Sequence, residues 1–388
     1  MQRRVMKAVL AAAALVVTAG CSSGGGGGSP FGGLAPSSSG KGTGASSSQR
    51  ATETAAPAKG SVKVVRTVTE DLKSPWGLAA LPEGGLLVSS RDEGTITRVD
   101  EESGKKTELG QVPGVAPAGE GGLLGLALSP TYASDRMIYA YFTTASDNRI
   151  VRMLYDGKKP SGEQLGAPDT IFKGIPKGMI HNGGRIAFGP DGMLYAGAGE
   201  TGDRGLAQDK KALGGKILRM TPDGDPAPGN PFGDSVVYSY GHRNVQGLAW
   251  DDKQRLWASE FGQDTWDELN QIKPGDNYGW PVVEGKGGNP KYHDPVAQWH
   301  TDQASPSGIA YAEGSIWMAG LRGRRLWRIP LKGTEAAAAP QAFLEGEYGR
   351  LRTVVSAGGD KLWLVTSETD GRGRPGKGDD RILELEVK

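Results

Sequence analysis

The sequence predicts an all-β fold, a six-bladed β-propeller built from four-stranded antiparallel blades. Helical periodicity is weak along the whole chain. Glycine is abundant, 62 of 388 residues, against roughly 7% in ordinary proteins. One phrase recurs six times: a small residue, alternating apolar residues, a tight turn, then an apolar or aromatic run. Period-two alternation bounded by turn residues reads as paired short strands.

The copies open at Trp76 (WGLAALPEGGLLVSS), Leu124 (LGLALSPTYASDRMIYAYFTT), Gly184 (GRIAFGPDGMLYAGAG), Gln246 (QGLAWDDKQRLWASE), Ser307 (SGIAYAEGSIWMAG) and Arg352 (RTVVSAGGDKLWLVTS). Each fits two strands joined by a turn of the Pro-Asp-Gly kind. Third strands follow several of them, at Thr95, Lys216, Arg324 and Arg381. The spacing, roughly 45–65 residues, suits one blade per copy. A single blade cannot bury both of its faces, so its neighbours must cover them. Ring closure is expected to pair the first and last segments. Residues just before each first strand then meet around the axis, among them Glu120, His181, Arg243, Asn244 and Pro306.

The chain opens MQRRVMKAVLAAAALVVTAGCSSG. Arg3, Arg4 and Lys7 precede an apolar stretch from Ala8 to Val17, which ends in small residues and Cys21. That stretch is too short to span a bilayer and reads as a secretory signal. It resembles a bacterial lipoprotein signal, so residues 1–21 are expected to be the signal with Cys21 as the lipidated residue. Residues 22–62, rich in Gly, Ser, Ala and Pro, read as a flexible tether. Residues 63–388 form the propeller, and the protein is expected to be extracytoplasmic and lipid-anchored.

Cys21 is the only cysteine, which excludes disulfides and thiol catalysis in the domain. The formal charge of +1 becomes −2 once Arg3, Arg4 and Lys7 are removed. A nearly neutral domain without a basic tract argues against nucleic acid as a partner.

His181 is followed, after Asn182, by two glycines at the mouth of a strand. A histidine there suits a general base, and equally a turn position. Arg243 and Asn244 are wedged before an apolar strand, where an arginine binds either a carboxylate or turn carbonyls. Arg322 follows a strand of the fifth repeat. Arg350 and Arg352 are two apart and point the same way on an extended strand, so they need an anion between them or open solvent. In SEFGQDTWDELNQIKPGDNYGWP, the residues Asp264, Asp267 and Glu268 with nearby carbonyls are hard oxygen ligands suited to calcium, or a solvated acidic loop.

Seven ordered motifs carry a family resemblance: PWGLAALPEG, GEGGLLGLALSP, HNGGRIAFGPDGMLYAGAGE, AQDKKALGGKILRMTPDGDPAPGNPF, SYGHRNVQGLAW, DELNQIKPGDNYGWP and SGIAYAEGSIWMAGLRG. The chain resembles the glucose/sorbosone dehydrogenase family, soluble quinoproteins that use pyrroloquinoline quinone (PQQ), and in particular their bacterial aldose-oxidising branch. The resemblance implies a six-bladed propeller and oxidation of an aldose at its anomeric carbon to a lactone. It implies His181 as the base, with hydride passing to the quinone. Arg243 and Asn244 match positions at the quinone end of the cofactor. Arg322, Arg350 and Arg352 match positions that bind it, and Glu120 and Thr201 match polar contacts. The carbonyls of Gly262 and Gln263 match the loop holding a Ca2+ ion, and Asp267, Glu268 and Tyr278 match a second calcium region. Ile180 stands where the glucose-oxidising branch tends to carry an acid, which leaves the group orienting His181 unassigned.

Two other functions fit a propeller. A calcium-dependent, lactonase-like hydrolase would need a metal ringed by acidic and amide side chains, where this axis offers arginines. A non-catalytic cell-surface binding propeller would not need His181 together with all those arginines. No CxxCH haem-attachment motif is present, so electrons must leave to a separate acceptor.

Overall fold

The computed structural model describes residues 53–388. The predicted signal segment, Cys21 and the tether as far as residue 52 lie outside the described residues. The first strand, β1 (Val62–Thr69), is followed by the first blade, β2 (Pro75–Ala80), β3 (Leu86–Ser90), β4 (Thr95–Val99) and β5 (Lys106–Gln111). The second blade is β6 (Leu123–Leu128), β7 (Met137–Thr143), β8 (Asn148–Leu154) and β9 (Asp169–Ile175), with the single-turn helix α1 (Tyr132–Asp135) between its first two strands. The third holds β10 (Ile186–Phe188), β11 (Leu194–Ala198), β12 (Lys216–Met220) and β13 (Val237–Tyr240), with α2 (Gly205–Gln208) before β12. The fourth is β14 (Val245–Trp250), β15 (Leu256–Glu260), β16 (Trp266–Ile272) and β17 (Ala297–His300). In the fifth, β18 (Pro306–Ala312), β19 (Ser315–Gly320) and β20 (Arg325–Lys332) are edged by two short pieces, β21 (Glu335–Ala336) and β22 (Gln341–Phe343), both paired with β20. The sixth is β23 (Leu351–Gly358), β24 (Lys361–Thr366) and β25 (Ile382–Val387).

The six-bladed expectation holds, and each of the six repeats supplies the two inner strands of one blade. The ring closes as the propeller logic requires. The N-terminal β1 pairs antiparallel with β25 and becomes the outer strand of the last blade, from Val62 opposite Val387 to Thr69 opposite Ile382. Closure of this kind joins the two ends of the chain in one sheet and leaves no gap between first and last blades.

The core is a set of six apolar clusters, one in each gap between adjacent blades. Alternation within a strand therefore sends side chains to two different cores. In β15, Leu256 and Ala258 pack toward the third blade, and Trp257 between them packs toward the fifth. Strands buried on both faces read as nearly continuous apolar runs, as they do here.

The recurring glycine of the repeat has a steric cause. A Cβ on Gly125 would lie 2.2 Å from the Gly184 carbonyl oxygen, and one on Gly247 would lie 2.4 Å from the Ser307 carbonyl. Inner strands of adjacent blades touch backbone to backbone at this level, which only glycine permits. The matching positions of the third and sixth repeats are Arg185 and Thr353. Four glycines leave room at the axis, and the Arg185 side chain fills it. Its guanidinium donates to the Gln246 carbonyl at 2.8 Å and to Thr353 Oγ1 at 3.0 Å.

Candidate functional site

At one end of the axis, above this plug, lies a cavity of about 340 Å³. Its floor comes from residues that open the inner strands, Trp76, Gln246 and Arg352, and its walls from the loops before and between strands. The predicted residues Glu120, His181, Arg243, Asn244, Gly262, Gln263, Asp267, Arg322, Arg350 and Arg352 all line it. Thr201, Glu268 and Tyr278 do not line it. The Thr201 hydroxyl is spent on the Glu200 carbonyl at 2.8 Å, and the Tyr278 hydroxyl donates to the Gln271 carbonyl at 2.8 Å while accepting from Lys273 N–H. Glu268 is buried against Asn270 and the Gly285 N–H.

His181 sits in the left-handed backbone region, with φ of 53°, a conformation uncommon outside glycine. Three contacts hold it there. Its N–H donates to Glu120 Oε2 at 2.9 Å, and its carbonyl accepts from the Thr201 N–H at 3.2 Å. Gly183 beside it donates its N–H to Asn244 Oδ1 at 3.0 Å. Gly199 is needed opposite, since a Cβ there would lie 1.9 Å from the His181 carbonyl oxygen. The imidazole Nδ1 is hydrogen-bonded to Glu200, whose carboxylate is only 1% exposed.

Glu200 is the orienting group that sequence reasoning missed. Glu200 as the acceptor from Nδ1–H fixes the tautomer that leaves Nε2 as the basic nitrogen. Its sequence signal was the final residue of the HNGGRIAFGPDGMLYAGAGE motif, two positions past β11, where the strand carries it back beside His181.

Six arginines line the cavity (Arg91, Arg243, Arg322, Arg350, Arg352 and Arg372) against three carboxylates, Glu120, Asp267 and Asp370. Arginines thus outnumber carboxylates by three among the lining residues. The anion that the arginine pair requires comes in part from the chain itself. Asp370 Oδ2 accepts from Arg350 Nη2 at 2.8 Å and from Arg352 Nη2 at 3.0 Å. Burial alone would raise the Asp370 pKa, but Arg352 and Arg350 override it and hold the carboxyl below its ordinary range. One carboxylate does not neutralise two guanidinium groups, so the pair keeps a net positive charge toward the cavity. Arg372 pairs with Glu120 Oε1 at 2.7 Å across the mouth. Beneath the floor, the Arg185 guanidinium lies 4.4 Å from the Trp76 ring centre, a cation–π distance. Burial first, then the nearby Arg352, push its ionisation well down.

The opposite wall is the 261–267 loop. Arg243 Nη2 donates to Gln263 Oε1 at 2.8 Å, and the Gly262 N–H donates to Asp267 Oδ1 at 2.9 Å. The Glu284 carboxylate accepts from four successive N–H groups, Gln263 to Trp266, at 2.7–3.1 Å. With these amides tied back, the carbonyl oxygens of Gly262 and Gln263 accept no hydrogen bond among the described residues. Burial raises Asp267 to about 6, against the opposing effect of its amide donors and Arg243. Among the described residues no group of three or more His, Cys, Asp or Glu side chains is placed to hold a metal. A hard cation would therefore be held by this loop's carbonyls rather than by a carboxylate cage.

The profile of the glucose/sorbosone dehydrogenase family matches residues 72–374. The PQQ-bound form of an aldose sugar dehydrogenase from Streptomyces coelicolor is 82% identical and superimposes with a TM-score of 0.85, covering 86% of this chain and all of that one. A Thermus thermophilus putative oxidoreductase (glucose dehydrogenase) is 43% identical with a TM-score of 0.76, over 84% of this chain and 100% of that one. The aldose sugar dehydrogenase YliI of Escherichia coli is 29% identical, over 82% of this chain and 92% of its own. The repeats, the ring and the matched span agree: this chain belongs to the glucose/sorbosone dehydrogenase family.

Proposed function

We propose that the protein is a PQQ-dependent oxidoreductase that oxidises aldose sugars at the anomeric carbon to lactones. The observation that carries this reading is the pairing of His181 with Glu200 on the wall of a cavity whose lining arginines outnumber its lining carboxylates six to three. The residues fit the cofactor's chemistry. PQQ bears three carboxylates, and the cavity's excess charge and Arg350/Arg352 offer charge-assisted donors to them. Arg243 and Asn244 stand across the cavity, beside the loop whose free carbonyls suit calcium. When bound, PQQ with its calcium supplies a polarised two-electron acceptor for hydride.

The chain's own residues do the rest. His181 Nε2 takes the proton of the anomeric hydroxyl as the C–H bond gives up hydride. Glu200 holds Nδ1–H and stabilises the imidazolium that results. Glu120 fixes the backbone of His181, and Asn244 fixes Gly183, so the base has one position before substrate arrives. Asp267 and Glu284 hold the amides of the 262–266 loop and leave its carbonyls free. In the cell the enzyme is secreted, lipid-anchored through Cys21, and passes electrons to a separate carrier.

Rapid mixing of PQQ- and calcium-loaded protein with an aldose, without electron acceptor, tests this reading. Reduction of the bound cofactor is expected within one turnover. His181→Ala should bind PQQ with unchanged affinity and reduce it at least 10²-fold more slowly. Cofactor reduction at the wild-type rate in that variant would remove His181 as the base.

A further inference from the structure

Beside the cavity, and sharing Leu321, Arg322, Arg350 and Arg372 with it, lies a second hollow of about 270 Å³. Its remaining lining is Arg324, Glu368, Gly373 and Arg374, so five of its eight residues are arginines and one is an acid. That acid is spent inward. Glu368 Oε1 accepts from the Arg350 N–H at 2.7 Å and Oε2 from the Arg374 N–H at 2.5 Å. The guanidinium groups of Arg322, Arg324 and Arg374 are exposed and have no hydrogen-bond or ion-pair partner among the described residues. Arg372 in the same rim is paired with Glu120 at 2.7 Å, and Arg325 outside it with Glu345 at 3.0 Å.

We propose that this arginine rim is the docking face for an acidic one-electron carrier protein that reoxidises the site. The proposal rests on the redox reading above. Each aldose oxidised to lactone releases two electrons and two protons; two oxidised carriers take one electron each, and the protons pass to solvent. No CxxCH motif stands among these residues, so the propeller itself holds no haem to take the electrons. The rim is where they leave by charge recognition. It adjoins the arginines assigned to the cofactor, and Leu321 is its only apolar side chain, so it presents charge and little apolar surface. Unpaired, solvent-facing charge next to a site raises the encounter rate of an oppositely charged partner by roughly 10- to 1000-fold, and salt removes the gain.

The test is the double charge reversal Arg324→Glu/Arg374→Glu, neither residue lining the main cavity, in the full PQQ- and calcium-loaded protein. Two half-reactions are followed separately. Reduction of the bound cofactor by aldose, and PQQ affinity, should stay within twofold of wild type. Failure of wild type in this half-reaction would sink the redox reading itself. Reoxidation is then measured with an acidic cytochrome, a basic cytochrome and neutral ferrocenemethanol in its oxidised form. The wild-type rate with the acidic cytochrome should fall with rising salt, and the reversal should lower it at least tenfold at low salt. The rates with the other two acceptors should not fall. An unchanged rate with the acidic cytochrome, or an equal loss with all three acceptors, overturns the docking face. A loss of PQQ affinity instead would assign the rim to cofactor capture and also overturn it.

Discussion

His181 and Glu200 show what one buried hydrogen bond adds to a histidine already legible in sequence. The placement of His181 beside Gly183 and Gly184 marked it as a candidate. Nothing in that local pattern named the carboxylate 19 positions on, because the contact is made by a strand returning across the sheet. The same distance in sequence hid Asp370, although the like-charged pair Arg350 and Arg352 had already required an anion. Glu200→Gln keeps the shape and removes the charge that fixes the tautomer. It should lower turnover by about 10²- to 10⁴-fold and leave PQQ affinity within twofold. Steady-state kinetics with a parallel binding titration decides it; turnover within twofold of wild type would show that the pair is structural only.

The inner strand is the element that makes the site possible, and its glycine does so by close approach. Gly125 does not touch the cavity, yet it abuts the backbone that carries His181, through the Gly184 carbonyl. Gly125→Ala forces those strands apart and should cost roughly 1–3 kcal/mol. Thermal melting and turnover should fall together, although the substituted residue is outside the site. Wild-type turnover in that variant would show that the strand spacing does not position the base.

Lys216, which opens β12, marks a second element-scale device. Its ammonium donates to the carbonyls of Leu206, Ala207 and Gly214 and so ties the α2 loop to the sheet. Burial pushes its pKa down to about 8 from an ordinary 10.5. The unfolded chain thus binds more protons than the folded one between those values, and this group's contribution to stability rises as pH increases through that window. Lys216→Met leaves three buried carbonyls without donors and should cost about 2–3 kcal/mol at neutral pH. The gap in melting temperature between wild type and variant should widen from pH 8 toward 10; a constant gap would contradict the assignment. The repeat predicted the strands around Lys216, but the three carbonyls it meets come from an irregular loop that no periodicity describes.

At the scale of the whole molecule, six repeats read from sequence became six blades, because every blade must hide two faces and a ring is the arrangement that hides all of them. The pairing of β1 with β25 was expected from closure alone, with no local signal in either strand. Arg185 was not singled out: its position in the third repeat belongs to glycine in four others, and only the assembled ring shows that the exception fills the axis. Charge is likewise a property of the assembly. A domain nearly neutral by composition concentrates six arginines on one cavity against three carboxylates.

That concentration is the centre of the functional account, and titration of the purified protein with PQQ in the presence of calcium tests it most directly. One PQQ should bind per chain at micromolar concentration or tighter, more weakly as salt rises, and at least tenfold more weakly in an Arg350→Ala/Arg352→Ala variant. Absence of binding at micromolar PQQ, or binding indifferent to both salt and the loss of that pair, would contradict it.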